Sequence, residues 1–199
     1  MKIHNVEQGT QEWLDLRKLK LTASKADAIA MAGKGLETLC LELVAEYFSN
    51  TPTEQYINSD MERGNELESE ARNIYSLETG NKVLQVGFVE HSENCGCSPD
   101  GLVNDEGLVE YKCPNNKNYI YLLYTDKIDS KYIWQMQMQM LITGRKWCDF
   151  VAYNPNFDKY IYIKRVVADL EMQEKLLRGI KLGTEKIQEI VSNIKEKMV

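Results

Sequence analysis

The hydrophobic period of this 199-residue chain changes twice, and those changes restrict what it can fold into. Apolar residues recur at helical spacing up to Gly80, alternate in steps of two through the middle, and return to helical spacing in the tail. Trp13, Leu14, Leu16 and Leu19 suit a short helix, and Thr22 or Ser24 is placed to cap a second through Ala26, Ile29 and Ala30. A third helix is predicted over 36–48 and a longer one over 59–78, stopped by Gly80. Residues 82–89 are predicted as one strand covered on both faces, followed by a hairpin that turns at Asn104-Asp105-Glu106-Gly107. Helices at 117–125 and 131–142, strands at 147–153 and 159–167, and an amphipathic helix from Asp169 complete the pattern. The expectation is one mixed α/β domain over 1–199, with a helical front (1–80), a core (81–167) built on a small central mixed sheet flanked by helices, and a C-terminal helix (168–199).

No apolar run approaches the roughly 20 residues that span a bilayer, and the start Met1-Lys2-Ile3-His4-Asn5 lacks the apolar stretch of a signal peptide, so a cytoplasmic protein with no membrane partner is expected. Five cysteines, an odd count, fit free thiols better than a disulfide framework. The net charge of -6 speaks against a polyanionic partner only if it is spread evenly. It is not: residues 54–110 hold 13 acidic against 3 basic side chains, whereas residues 111–146 hold 6 basic against 2 acidic. Such segregation suits a protein that holds cations and a polyanion together, though a solvated acidic helix face would produce it as well.

On the strand Leu108 to Cys113, alternation puts Leu108, Glu110 and Lys112 on one face and Val109 and Tyr111 on the other. Pairing across the 104–107 turn brings Asp100 close to Glu110 in most registers. Two close carboxylates raise each other's energy unless a cation intervenes, and hard oxygen ligands select Mg²⁺ or Mn²⁺ over zinc. An adjacent ammonium can help to deprotonate a water or stabilise negative charge developing on phosphorus. An Asp followed after nine residues by Glu-x-Lys is by itself a weak signal that any solvated hairpin could give.

Its surroundings are more specific. Ser98-Pro99-Asp100-Gly101 followed by Glu110-Tyr111-Lys112-Cys113-Pro114 resembles the PD-(D/E)xK nuclease motif, in the form found in the lambda exonuclease and YqaJ-type viral recombinase family. Gln8-Gly9-Thr10-x-Glu12-Trp13 with Arg17 and Thr22-Ala23-Ser24 resembles that family's N-terminal block, and Gly64-Asn65-Glu66-Leu67-Glu68 with Ala71-Arg72 its acidic helix. Tyr132-x-x-Gln135-x-Gln137 and Tyr153-Asn154-Pro155 resemble two later blocks, which makes five in order over residues 8–155.

The resemblance implies a restriction-endonuclease-like core that uses two Mg²⁺ ions, with Mn²⁺ as a substitute, to hydrolyse phosphodiesters of double-stranded DNA. Asp100, Glu110 and the backbone carbonyl of Tyr111 would hold metal, Glu68 would act through a metal-bound water, and Lys112 would orient or activate the attacking water. Gln135 would lie near metal and substrate, with Gln137 also toward the substrate. Arg17, Ser24 and Ser98 would line a 5′-phosphate pocket, and Met61 would wedge the terminal base pair apart. The implied activity is 5′-to-3′ digestion of one strand from duplex ends for phage-type recombination, by a ring of three subunits working with a single-strand annealing protein. A structure-specific or restriction-type endonuclease on the same core, or a non-catalytic DNA-binding relative, is the alternative.

Overall fold

The computed structural model describes residues 1–50 and 59–198. Strands β1 (Lys2–His4), β2 (Leu21–Thr22), β4 (Phe88–Ser92) and β5 (Cys95–Cys97) form one sheet in the order β1-β4-β5-β2, in which β2 and β5 run parallel. Strands β3 (Val83–Leu84), β6 (Gly101–Val103), β7 (Gly107–Lys112), β8 (Trp147–Tyr153) and β9 (Ile161–Val167) form the second, in that order. Its one parallel pair, β7 with β8, is joined by the helical crossover of α5 (Asn116–Thr125) and α6 (Ser130–Thr143). Helices α1 (Gln11–Arg17), α2 (Ala26–Met31), α3 (Lys34–Phe48), α4 (Ser59–Thr79) and α7 (Leu170–Met198) complete the chain. The fold is the mixed α/β arrangement expected, with helices flanking mixed sheet, and the sheet is divided in two.

Local chemistry sets the helix ends. The Thr10 side chain accepts the Trp13 N–H at the start of α1, Asn115 accepts from Asn118 at α5, and Asp129 from Lys131 at α6. Gly144, in the left-handed region with φ +68°, stops α6. The second helix is not capped as expected: Ala23–Lys25 form a 3₁₀ turn, and neither Thr22 nor Lys25 makes a side-chain cap bond.

The predicted strand 82–89 is two strands in two sheets. β3 pairs with β6, the chain then crosses over, and β4 pairs with β1 and β5. At the crossing Gly87 lies so close to the Val6 carbonyl that any Cβ would overlap it.

The two faces of the second sheet bury separate cores. Leu108, Phe150 and Ala152 join α2, α3, α6 and α7 on one face; Val109, Tyr111, Val151 and Tyr153 pack with Ala71 and Tyr75 of α4 on the other. Met136, Met138 and Met140 of α6 are all buried as core residues. The alternation that sorts these residues also turns Glu110 and Lys112 toward α6.

Candidate active site

Asp100 immediately precedes β6, and the register Gly101↔Val109 places it opposite Glu110. Gly101 keeps this corner tight, because a Cβ there would overlap Val83 of β3. One Asp100 carboxylate oxygen accepts the Tyr111 backbone N–H at 2.7 Å. Glu110 has no solvent exposure and both of its oxygens are occupied. Oε1 accepts from Lys112 Nζ at 2.5 Å and Gln135 Nε2 at 2.6 Å, and Oε2 accepts from Gln139 Nε2 at 2.8 Å. A buried carboxylate persists only when it is paired and hydrogen-bonded in this way.

Asp100 borders an open cavity of about 900 Å³ that is also lined by Glu68, Tyr111, Lys112 and Tyr132. Burial, the Glu110 charge and, more weakly, Glu68 push its carboxyl well above the usual carboxylate range, against the smaller opposing effects of Lys112 and the Tyr111 N–H. Burial alone would depress the Lys112 ammonium, but Glu110 and Asp100 outweigh it and leave its pKa raised. Lys112 is therefore a cation held against two carboxylates, with its Nζ 5.0 Å from the centre of the Tyr132 ring.

Glu66 and Glu70 of α4 are exposed, whereas Glu68 is half-buried beside the cavity and its Oε1 accepts from Arg72 at 2.6 Å. Tyr111 borders the cavity as well. Met61 falls within α4, but its side chain lies outside the described residues.

A second cluster adjoins the first through Ser98, two residues before Asp100. The Arg17 guanidinium stacks over Trp13, 4.3 Å from the ring centre, and donates to Thr22 Oγ1 at 3.4 Å, which lies 3.2 Å from Ser24 Oγ. Trp13 Nε1 donates to Ser98 Oγ at 2.9 Å. Arg17, Ser24 and Ser98 are thus brought together, with Trp13 and Thr22 as the unforeseen links. Burial pulls the Arg17 guanidinium below its ordinary value, Glu46 opposes that only partly, and among the described residues Arg17 makes no ion pair. A half-buried cation stacked on an indole and bonded to one hydroxyl, with two more linked to its neighbours, is suited to an anion.

Gln137 is not at the site. It is buried with its amide spent elsewhere, donating to the Val167 carbonyl at 2.8 Å and accepting the Asp169 N–H at 2.9 Å. Gln139 takes the place beside Gln135, one helical turn further on, and among the described residues its buried Oε1 has no partner. The i,i+4 spacing of these two glutamines was the signal available in the sequence. Gln139→Leu is expected to cost about 10–100-fold in metal affinity, as for other residues that orient a ligand. Gln137→Leu should instead lower stability and leave metal affinity unchanged, as titration of each folded variant with Mn²⁺ will show.

The donor set fits a hard divalent cation. Asp100 and Glu110 repel each other, and the open cavity beside them leaves room for water and phosphate oxygens. Mg²⁺ typically binds through one or two carboxylates together with such ligands. Among the described residues no group of three or more His, Cys, Asp or Glu side chains is placed to hold a metal ion, so a cation here would rest on the two carboxylates with water and substrate oxygens. The five cysteines are buried and free, and burial raises the pKa of Cys95 and Cys97.

A YqaJ-like viral recombinase domain model matches residues 12–146. An alkaline exonuclease (LHK-Exo) from Laribacter hongkongensis is similar in structure, with a TM-score of 0.87, 35% identity, and coverage of 95% of this chain and 98% of the other. The same enzyme in complex with dAMP matches equally well, with a TM-score of 0.87 and 35% identity over 95% and 98% of the two chains. A phage-related exonuclease from Haemophilus somnus shares the fold at 15% identity, with a TM-score of 0.68 over 90% of this chain and 98% of that one. No curated protein matches the sequence.

Proposed function

Because the chain belongs to the family of YqaJ-like viral recombinase domains, we propose that it is a Mg²⁺-dependent exodeoxyribonuclease that digests one strand of linear duplex DNA from its 5′ end. The observation that carries this reading is the convergence of Asp100 and Lys112, which line an open cavity, on the buried Glu110 behind them, where the ionisation of Asp100 is opposed by burial and by the Glu110 charge. The similarity to a solved exonuclease over nearly the whole chain supports it.

Hydrolysis adds a water oxygen to phosphorus, breaks the bond to the 3′ oxygen and delivers a proton to that oxygen. Asp100, Glu110 and the Tyr111 carbonyl would hold Mg²⁺, which supplies Lewis-acid stabilisation of the phosphate charge and a more acidic water. Lys112, firmly protonated, donates toward the developing charge on the phosphoryl oxygens and positions the attacking water. Gln135 and Gln139 fix the Glu110 carboxylate, so its geometry is set before substrate arrives. Glu68 contributes a further acceptor at the rim through a bridging water.

The cluster of Arg17, Ser24 and Ser98 is assigned to the 5′ phosphate, which carries more charge and more free oxygens than an internal phosphodiester. Arg17→Ala is expected to slow digestion about tenfold or more, as for loss of a charge-assisted hydrogen bond. Removing the 5′ phosphate should cost the same, and the two changes together little more than either alone. Rates for wild type and Arg17→Ala on phosphorylated and hydroxyl ends test this; fully additive losses would remove Arg17 from end recognition.

Assembly as a ring of three subunits, hand-over of the 3′ strand to an annealing protein, and action in the host cytoplasm extend the family resemblance. Light scattering that shows only a monomer at micromolar concentration would contradict the ring. No helix among the described residues is long and apolar enough to cross a membrane.

A further inference from the structure

A second part of the cavity wall has a chemistry that hydrolysis itself does not require. It is formed by α5, the α5–α6 turn and the start of α6, where Asn118, Tyr121, Lys127 and Lys131 border the same space as Asp100 and Lys112. Tyr121 is 63% exposed and Tyr124, one turn along the same helix face, is 86% exposed. Lys117 lies one turn before Tyr121, also exposed. Among the described residues the Lys117 and Lys127 ammonium groups have no partner. Lys131 has only an exposed contact with Asp129 at 3.6 Å, of a kind worth little, and a place 4.7 Å over the Tyr132 ring.

Two open tyrosine rings among lysines, continuous with a phosphodiester-cleaving site, match the way proteins hold unpaired nucleic acid: bases stack on aromatic rings while cations follow the backbone. Paired bases inside a duplex offer no face to stack on. Side chains three apart on a helix are about 5–6 Å apart at Cβ, wider than the 3.4 Å rise of one stacked strand, so neighbouring bases seated on both rings must be unstacked from each other. We propose that this face of α5 guides unpaired nucleotides of the digested strand at the cavity, with bases on Tyr121 and Tyr124 and phosphates on Lys117, Lys127 and Lys131. The inference rests on the nuclease reading and adds a strand path to it.

The test uses the full chain in EDTA, with a single-stranded oligonucleotide carrying a fluorescent adenine analogue and a blunt duplex of the same sequence. The variant Tyr121→Ala/Tyr124→Ala, altered only at exposed side chains, is expected to lose about tenfold or more in affinity for the single strand. It should also lose quenching of the analogue and bind the duplex nearly as wild type does. Lys127→Gln and Lys131→Gln should each lower the salt dependence of single-strand binding by about one unit of slope. Unchanged single-strand affinity and quenching, or an equal loss for duplex, would overturn the proposal. So would a changed oligomeric state in the tyrosine variant, which would make the patch a contact between copies. Nucleotide release from linear duplex with Mg²⁺ is measured in parallel: cleaving wild type with an indifferent tyrosine variant removes the strand path alone, whereas wild type that neither binds nor cleaves removes the nuclease reading with it.

Discussion

Asp100→Asn is expected to abolish DNA cleavage and, in the absence of metal, to make the protein more stable. The two effects share one cause. In the folded chain Asp100 is pressed by burial, Glu110 and Glu68 toward its neutral form, so its charge opposes folding until a cation balances it. Because its folded pKa is raised, the stability it allows is fully present below the unfolded carboxylate range and is lost as pH rises through the folded value. The advantage of Asn should therefore be absent in acid and grow as pH rises above the ordinary carboxylate range. Each 1 kcal/mol gained would appear as roughly 2–4 °C in Tm for a chain of this size. The amide oxygen can still accept the Tyr111 N–H, so the corner is preserved. Adding Mg²⁺ should raise the Tm of wild type and leave the variant unmoved. Thermal melts across pH, with and without metal, check each part, and a destabilised Asp100→Asn protein at neutral pH would show Asp100 to be a structural residue.

Lys112→Met is expected to be costly in a different way. It removes turnover, but it also strips the shortest contact from a carboxylate with no solvent exposure. Breaking a buried pair from one side typically costs about 3–5 kcal/mol. Gln135 and Gln139 still donate to Glu110, which places the expected loss toward the lower end of that range. The double variant Glu110→Gln/Lys112→Met leaves neither charge of the pair unpaired and should recover most of the stability while remaining inactive. Denaturant melts of the four proteins measure the coupling. Additive losses would mean that the pair is screened by water and that the pocket is more open than its geometry indicates.

The hairpin that carries this chemistry was legible in the sequence because strand alternation and a short turn are local properties. Leu108, Glu110 and Lys112 share a face as read, and Asp100 falls opposite Glu110. The helix ends at Gly144 and at the caps Asn115 and Asp129 follow equally local rules. What the sequence hid depends on distant partners. Residues 82–89 alternate as one strand would, yet whether they stay in one sheet is decided by β1, about 80 residues earlier in the chain, which claims Phe88 and Val89. Alternation cannot register a change of sheet. The glutamine helix shows a different limit: residues two apart on a helix are about 200° apart around its axis, so Gln135 and Gln137 cannot both face Glu110. The family pattern drew attention to Gln137, while helical phase singles out Gln139. Trp13 reads as a core residue in sequence. Only the fold shows its indole between Arg17 and Ser98.

Digestion of linear duplex, closed circular duplex and single-stranded DNA, each with Mg²⁺ or with EDTA, tests most directly whether this site cleaves DNA from its ends. Mg²⁺-dependent release of nucleotides from the linear duplex, with the closed circle intact and every reaction silent in EDTA, is the expected result. Cutting of the closed circle, or undiminished digestion in EDTA, would contradict a metal-dependent exonuclease centred on Asp100, Glu110 and Lys112.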